Sequence, residues 1–345
     1  MTRAWAVRQA TDVQTIVKDA TGDRGTQAFQ ELRLGWLGLG RMGSALVRRL
    51  LAAGCDVGVY NRTAAKAKPF AASGAEIASS PADLATRDIV FVTVGTPEDL
   101  FDAILGPGGL MSSDAAPSIL VDCSTISAEA SQLVRGQLAE RGTALLAAPV
   151  MGNPRVAGAG RLTLAVSGPL ETFRVAQPYL ALLGAGATYV GDGELARVVK
   201  LCHNLFLGVV TQSLAEVTIL AQRSGVSREA FLNCLNNSVM GSTFTRYKTP
   251  AFVNLDFHPT FTAELLRKDF DLGLAAARER QVPLPVASLV HQLVQSLIGH
   301  GYADQDFAAL IELEAQSAGL RLESEGANIS DGLEQADGNG ANPGP

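Results

Sequence analysis

The chain is poor in the residues that build metal centres and covalent frameworks. Its 345 residues include four cysteines and four histidines. Cys55, Cys123, Cys202 and Cys234 lie far apart with no Cys-x-x-Cys, so neither a zinc site nor a disulfide framework is indicated. His203, His258, His291 and His300 show no metal-ligand spacing, and no metal is expected. Charge is also scarce. Only 18% of residues are charged, and 28 basic against 34 acidic side chains leave a net charge of −6. Such a chain has no broad electrostatic footprint for nucleic acid, so any anion must be held by a local site. The most apolar long stretch, Leu201–Ala221, is interrupted by His203, Asn204, Gln212 and Glu216 and reads as a buried helix, not a membrane span. Met1–Ala10 alternates arginine with apolar residues and lacks a secretory core. These absences lead us to expect a soluble cytoplasmic protein with neither a membrane nor a nucleic-acid partner.

Apolar residues make up 47% of the chain, enough for real cores, and the length suits two domains better than one. Residues 1–31 have no clear period and read as an N-terminal extension. From 32 to 192, short apolar runs alternate with helical patterns. Leu34–Leu39, Val57–Tyr60, Ile89–Val94, Ile119–Asp122 and Ala144–Pro149 read as strands. Arg41–Ala53, Ala64–Ala72, Pro97–Leu105 and Ser127–Arg141 read as the helices between them. This alternation predicts a mostly parallel, doubly wound sheet. From 193 to 320 helical periodicity takes over, with a long pattern over Glu194–Ser224 ending at Gly225, then Arg228–Leu235, Phe261–Gln281 and Pro285–His300. Residues 321–345 are rich in Gly, Asn, Asp and Glu, and a disordered tail is expected.

The first strand runs into G-x-G-x-x-G at Gly38, Gly40 and Gly43, followed by an amphipathic helix. In a dinucleotide-binding turn the first glycine permits the tight bend and the second lets the backbone approach a pyrophosphate. The third lets helix and strand pack closely, and the helix N-terminus then faces the phosphates. A turn used only for packing is the alternative. With the strand–turn–helix context, the fold class is an α/β Rossmann domain followed by an all-α C-terminal domain. Gly38, Leu39, Gly40, Arg41, Met42 and Gly43 are the expected cofactor loop. An NAD site usually places Asp or Glu at the end of the second strand. Here Asn61, Arg62 and Thr63 stand there. A carboxylate would repel a 2′-phosphate, whereas a guanidinium pairs with it. The reading is therefore NADP, with NAD as the second candidate; a solvated arginine at a strand end is the plain alternative.

Four further segments join the glycine loop: D-C-S-T-I-S at 122–127, P-V-M-G-N at 149–153, K-L-C-H-N at 200–204 and L-L-R-K-D-F at 265–270. With them the chain resembles the β-hydroxyacid dehydrogenases, the group of 3-hydroxyisobutyrate dehydrogenases and semialdehyde reductases, over roughly 34–320. The resemblance implies hydride exchange between a nicotinamide and a small β-hydroxyacid or its semialdehyde or keto form. It implies Lys200 as general acid/base and Asn204 as a substrate ligand. It implies Ser124 at the substrate and Thr125 and Lys268 at the cofactor, with Val94, Gly95 and Thr96 over the nicotinamide ribose. Asp99 stands where the family often has a neutral polar residue and is not counted as a site residue.

The residues alone permit plainer readings. Ser124 or Ser127 would serve as a helix cap, R-K-D is an ordinary charged helix face, and Lys200 would snorkel. Lys200 and Asn204 nevertheless share one face of an otherwise apolar helix, where an inward lysine is costly without a purpose. His203 projects about 100° away and reads as a packing or surface residue. Where the family usually has P-V-S-G-G, this chain has Met151, Gly152 and Asn153. In the family this loop holds the substrate carboxylate, so the resemblance implies Met151, Gly152 and Asn153 as substrate ligands; one hydroxyl donor is lost and an amide gained, which points to a larger, less acidic or differently shaped substrate. Rival readings are an imine reductase, usually with Asp or Tyr in place of Lys200, and a non-catalytic nucleotide-binding relative. The resemblance also implies a homodimer or homotetramer.

Overall fold

The computed structural model describes residues 32–333; the expected N-terminal extension and residues 334–345 lie outside the described residues. The first part runs β1 (Leu34–Leu37), α1 (Arg41–Ala52), β2 (Val57–Tyr60), α2 (Lys68–Ala71), β3 (Glu76–Ile77), β4 (Ile89–Val92), α3 (Pro97–Leu105), β5 (Ile119–Asp122) and α4 (Ala128–Glu140). It continues with β6 (Ala144–Ala147), β7 (Val150–Met151), α5 (Pro154–Gly158), β8 (Thr163–Ser167), α6 (Leu170–Leu183) and β9 (Gly186–Gly191). The helix expected over Ala64–Ala72 is split into a 3-10 turn at Ala64–Lys66 and the single turn α2, because Pro69 lacks an N–H and favours the first turn of a helix.

The sheet order is β3-β2-β1-β4-β5-β6-β8-β7, with β9 beside β8. Strands β1 to β6 pair in parallel, while β8 runs antiparallel to β6 and β7. Every residue of β1, β4 and β5 is buried, as expected of parallel strands covered on both faces. Trp36 of β1 stacks on Phe91 of β4, with ring centroids 5.1 Å apart. One core holds Trp36, Phe91, Leu46 and Leu50; the opposite face holds Val90, Val92, Leu120 and Val134. Pairing of Leu34 with both Val57 and Ile89 aligns the strands, so the turns after β1, β2, β4 and β5 leave along one edge. The chain order reverses at β1, the place where open α/β sheets bind ligands.

The second part is helical: α7 (Leu195–Arg223), α8 (Arg228–Asn237), α9 (Thr243–Asn254), α10 (Ala263–Glu279), α11 (Pro285–Leu297) and α12 (Leu310–Ser317). α7 has 29 residues and so runs roughly 43 Å. Among the described residues it is the one helix apolar and long enough to cross a membrane, but half of its most apolar window is buried inside the fold. It packs against α10 and α11 through Leu205, Phe270 and Val294, and against α12 through Ile219 and Ile311.

Residues 321–333 overturn part of the expected disordered tail. They leave α12 and fold back along both domains. Arg228 is buried and donates to the carbonyls of Phe252, Val253 and Glu323, and the Arg228 N–H bonds Glu325. Asn254 exchanges hydrogen bonds with Ala327. Asp331 pairs with Arg155 of the sheet domain, and Leu333 is buried in the core around Trp36. A polar segment is thus ordered by backbone hydrogen bonds and two buried leucines, a pattern that composition does not reveal.

Candidate active site

The turn after β1 is fixed from three sides. Gly38 N–H donates to Tyr60 O at 2.9 Å, the Trp36 indole donates to Gly38 O at 3.1 Å, and Leu39 N–H donates to Asn61 Oδ1 at 2.7 Å. Gly38 has φ +94°, which a side chain would strain. Gly40 is the N-cap of α1. No side chain caps the helix and its first turn holds no acid, so the first-turn N–H groups face outward. A Cβ on Gly40 would meet nothing within 4 Å, leaving open room over the turn. An open glycine before an uncapped helix start fits a dinucleotide pyrophosphate.

Asn61 acts through this loop, since its Nδ2 also donates to Thr63 O at 3.0 Å. Arg62 is exposed, and its Nη1 donates to Asp99 Oδ1 at 2.7 Å. Val94 and Thr96 are less free than expected. The Val94 N–H donates to Ser124 Oγ at 3.0 Å, and Thr96 Oγ1 caps α3. Arg41 reaches the helical domain, donating to Pro259 O at 2.8 Å.

The end of β5 meets the start of α7. Ser124 is buried and its N–H donates to Asp122 Oδ1 at 2.9 Å. The cap of α4 is Ser127, not Ser124, which leaves the Ser124 hydroxyl to link the turns after β4 and β5. Arg197, one turn into α7, is fully engaged. It donates to Asp122 Oδ2 at 2.7 Å, Ser131 Oγ at 2.8 Å, Ser124 O at 3.1 Å and Glu194 Oε2 at 2.9 Å. Lys268 Nζ crosses from α10 to Thr125 O at 3.3 Å. Two cations from the helical domain therefore bracket the Ser124–Thr125 turn.

Lys200 lies three residues after Arg197, on a neighbouring part of the same face. It is only 8% exposed, and burial pulls its ammonium well below the usual lysine range, against the opposing pull of the Asp269 carboxylate. Asp269 is buried and pushed up for the same reason, with Lys200 and the Asn204 amide pulling it back. Asn204 Nδ2 donates to Asp269 Oδ2. His203, read as a bystander, is half-buried and its Nδ1 lies 2.8 Å from Asn204 Oδ1. A one-residue step on a helix turns by about 100°, but the short Asn204 side chain reaches across it. Burial also holds His203 below its usual range. Lys200, Asn204, Asp269 and His203 thus form one buried polar cluster beside the Ser124 turn.

The loop after β7 departs from the expectation at Asn153. Its Oδ1 accepts from the N–H groups of Arg155 and Val156 at 2.9 and 3.0 Å, capping α5. That oxygen is not available to a substrate. Asn followed by Pro is a strong helix-start signal, and it could have been read from the sequence. Gly152 has φ +143°, and a Cβ there would stand 3.1 Å from Val156 and Leu162. Met151 is partly buried against the core that contains Val90 and Leu120, and its side chain offers no hydrogen-bond donor. Asp269 and Arg197, which join these groups, were not among the expected site residues, and Asp99, left out of that set, is the partner of Arg62. Only the spacing of Arg197 from Lys200 and the adjacency of Asp269 to Lys268 hinted at them.

Residues 33–191 match the family described as the NAD-binding domain of 6-phosphogluconate dehydrogenase. Residues 194–313 match that described as the NAD-binding domain of NADP-dependent 3-hydroxyisobutyrate dehydrogenase. The chain is 30% identical over 295 residues to 2-(hydroxymethyl)glutarate dehydrogenase of Eubacterium barkeri, covering 85% of this chain and 98% of the relative. The chain belongs to the β-hydroxyacid dehydrogenase family. As a member, it is an NAD(P)-dependent oxidoreductase. It is also 29% identical over 308 residues to chloroplastic glyoxylate/succinic semialdehyde reductase 2 of Arabidopsis thaliana, covering 89% and 85% of the two chains. Its fold is that of 3-hydroxyisobutyrate dehydrogenase from Salmonella typhimurium, with a TM-score of 0.74 at 24% identity over 82% of this chain and all of the other. Psf3 in complex with NADP+ and 2-OPP is also similar in fold, with a TM-score of 0.72 at 25% identity over 81% of this chain and 99% of the other.

Proposed function

We propose that this β-hydroxyacid dehydrogenase interconverts a small β-hydroxyacid and its semialdehyde or keto form with NADP(H), using Lys200 as general acid/base. The observation that carries the reading is a lysine buried beside Asn204 and Asp269, with its ammonium destabilised by that burial. The nicotinamide, when bound, supplies or takes the hydride. Gly38, Gly40 and the first turn of α1 hold the pyrophosphate, and Arg62 with Thr63 receives the 2′-phosphate. Lys268 steadies the turn that carries Thr125. Lys200 Nζ gives a proton to the substrate carbonyl oxygen in reduction and takes one from the hydroxyl in oxidation. A lysine of lowered proton affinity gives up and takes back a proton more readily than an ordinary one, as the two directions require. Asn204, oriented by Asp269 and His203, and Ser124 position the substrate. Met151 in place of a serine favours a larger or less acidic substrate than the common hydroxyacids.

Free thiols at all four cysteines support the cytoplasmic reading. Exposed Phe206 and Leu220 on α7 support a homo-oligomer. The test is Lys200→Ala, assayed with semialdehydes, β-hydroxyacids and small imines. Turnover should fall by about 10²–10⁴-fold, the usual weight of acid–base catalysis, while NADPH binds as in the wild type. Lys200→Arg should not restore it, because guanidinium stays protonated. Near-normal turnover in Lys200→Ala, or activity confined to imines, would sink the proposal.

A further inference from the structure

The carboxylate that is missing at the end of β2 arrives from the helix after β4. Arg62 follows β2, and Asp99 lies in the first turn of α3 after β4; β1 and its glycine turn run between them. The Arg62–Asp99 bond therefore spans the end of β1. Its origin is a diverted helix cap. Thr96-Pro97-Glu98-Asp99 has the form of a capping box, in which Asp99 would reach back to the Thr96 N–H. Only half of the box forms: Thr96 Oγ1 accepts from the Asp99 N–H at 3.1 Å, while the carboxylate turns to Arg62. The same chain completes both halves at Ser80 and Asp83. The second carboxylate oxygen of Asp99 lies 3.7 Å from where a Cβ on Gly95 would stand, over the turn after β4. The side chain of Arg62 is 80% exposed and that of Asp99 31%, so the pair is open to an incoming ligand.

We propose that Asp99 is a cofactor-selecting residue: it holds Arg62 in an ion pair that a 2′-phosphate has to share or open, and so tempers the preference for NADPH over NADH. The inference rests on the reading of Arg62 as the 2′-phosphate ligand. A phosphate monoester brings close to two negative charges to a guanidinium whose charge Asp99 already balances. The Nη2 and Nε edge can still donate to phosphate, because the guanidinium fork has five N–H groups. The carboxylate on the same group repels the newcomer. NADH brings no charge to this position and leaves the pair closed.

The test is a double-mutant cycle of Asp99→Asn and Arg62→Ala, reading dissociation constants for NADPH and NADH by calorimetry. Asparagine keeps the shape and a hydrogen-bond acceptor and removes the charge. Asp99→Asn should bind NADPH about two- to fivefold more tightly, the scale of an exposed ion pair, with NADH changed by less than about twofold. With Arg62 already alanine the gain should be smaller, because only the direct repulsion between the Asp99 carboxylate and the phosphate then remains to be relieved. Unchanged or weaker NADPH binding in Asp99→Asn overturns the proposal, since Asp99 would then present Arg62 to the phosphate and not compete with it. If Arg62→Ala alone leaves the ratio of NADPH to NADH affinity unchanged, the reading of Arg62 itself fails. The two failures appear in different single variants.

Discussion

The glycine turn makes a prediction in which folding and binding separate. A Cβ on Gly43 would stand 2.1 Å from Gly38 O and 3.0 Å from the Trp36 indole nitrogen. Backbone cannot yield as a flexible side chain can, so Gly43→Ala must move α1 off β1. Overpacking of this kind typically costs about 1–3 kcal/mol, and a clash against a carbonyl belongs at the upper end. Gly40 is the contrast. Its φ of −66° suits alanine, and a Cβ there meets nothing within 4 Å. Alanine is a poorer N-cap than glycine but loses less chain entropy on folding, each effect being about 0.5–1 kcal/mol. These offset, and Gly40→Ala should melt near the wild type. Its methyl group would occupy the room assigned to the pyrophosphate. Loss of one charge-assisted hydrogen bond, about 1.5–3 kcal/mol, is roughly ten- to a hundredfold in affinity. Thermal melting beside NADPH titration reads both quantities on each variant. Wild-type NADPH affinity in Gly40→Ala would refute the placement of the cofactor over this turn.

Two more outcomes follow from the buried network and the C-terminal strap. Removing the Asp269 charge leaves burial unopposed at Lys200, so its proton affinity falls further. Oxidation needs the neutral amine. The limb on which kcat/KM for oxidation rises with pH should therefore lie at lower pH in Asp269→Asn than in the wild type, and an upward move contradicts the pairing. A chain truncated after Leu320 loses buried Leu322 and Leu333. At about 1.5–3 kcal/mol each, the loss is about 3–6 kcal/mol, which urea unfolding would register; an unchanged midpoint means the strap contributes nothing.

The sheet domain was legible because its strands are nearly continuous apolar runs between glycine-marked turns. β2, β5 and α3 have the bounds expected of them. Four helices, α5, α6, α9 and α12, escaped notice, two of them for one reason. α6 carries Pro178 inside it and α9 carries Pro250, and an internal proline reads as a stop. Packing overrides it: Tyr179 and Leu180 are buried after the first proline, and Phe252 and Val253 after the second. β8 and its antiparallel pairing were hidden because Thr163–Ser167 follows a glycine-rich stretch at Gly158 and Gly160. At the site, motif residues were legible but their partners were not. Asp99 belongs to an ordinary helix start until its carboxylate is seen on Arg62, and Asn153 is a helix cap before it is anything else.

What places Lys200 is the turn of helix before it. Asp122 is wholly buried at the end of β5, and a carboxylate there requires a cation and full hydrogen bonding. Arg197 supplies both, and also binds the Ser124 carbonyl and Ser131. The first turn of α7 is thereby locked to the sheet edge. Lys200, three residues on, has its direction set by helix geometry before any substrate is present. The second constraint comes from α10, where Lys268 binds the Thr125 carbonyl while the adjacent Asp269 receives Asn204. Two helices of one domain are pinned to a single turn of the other by two cations, and Lys200, Asn204 and Asp269 occupy the ground between the pins. A buried polar cluster half satisfied would be worse than an apolar core. Here Asn204 donates to Asp269, and the Asp269 carboxylate acts on Lys200 from the neighbouring helix of the same domain, so the two helices pinned at the domain junction are also the ones that enclose the lysine.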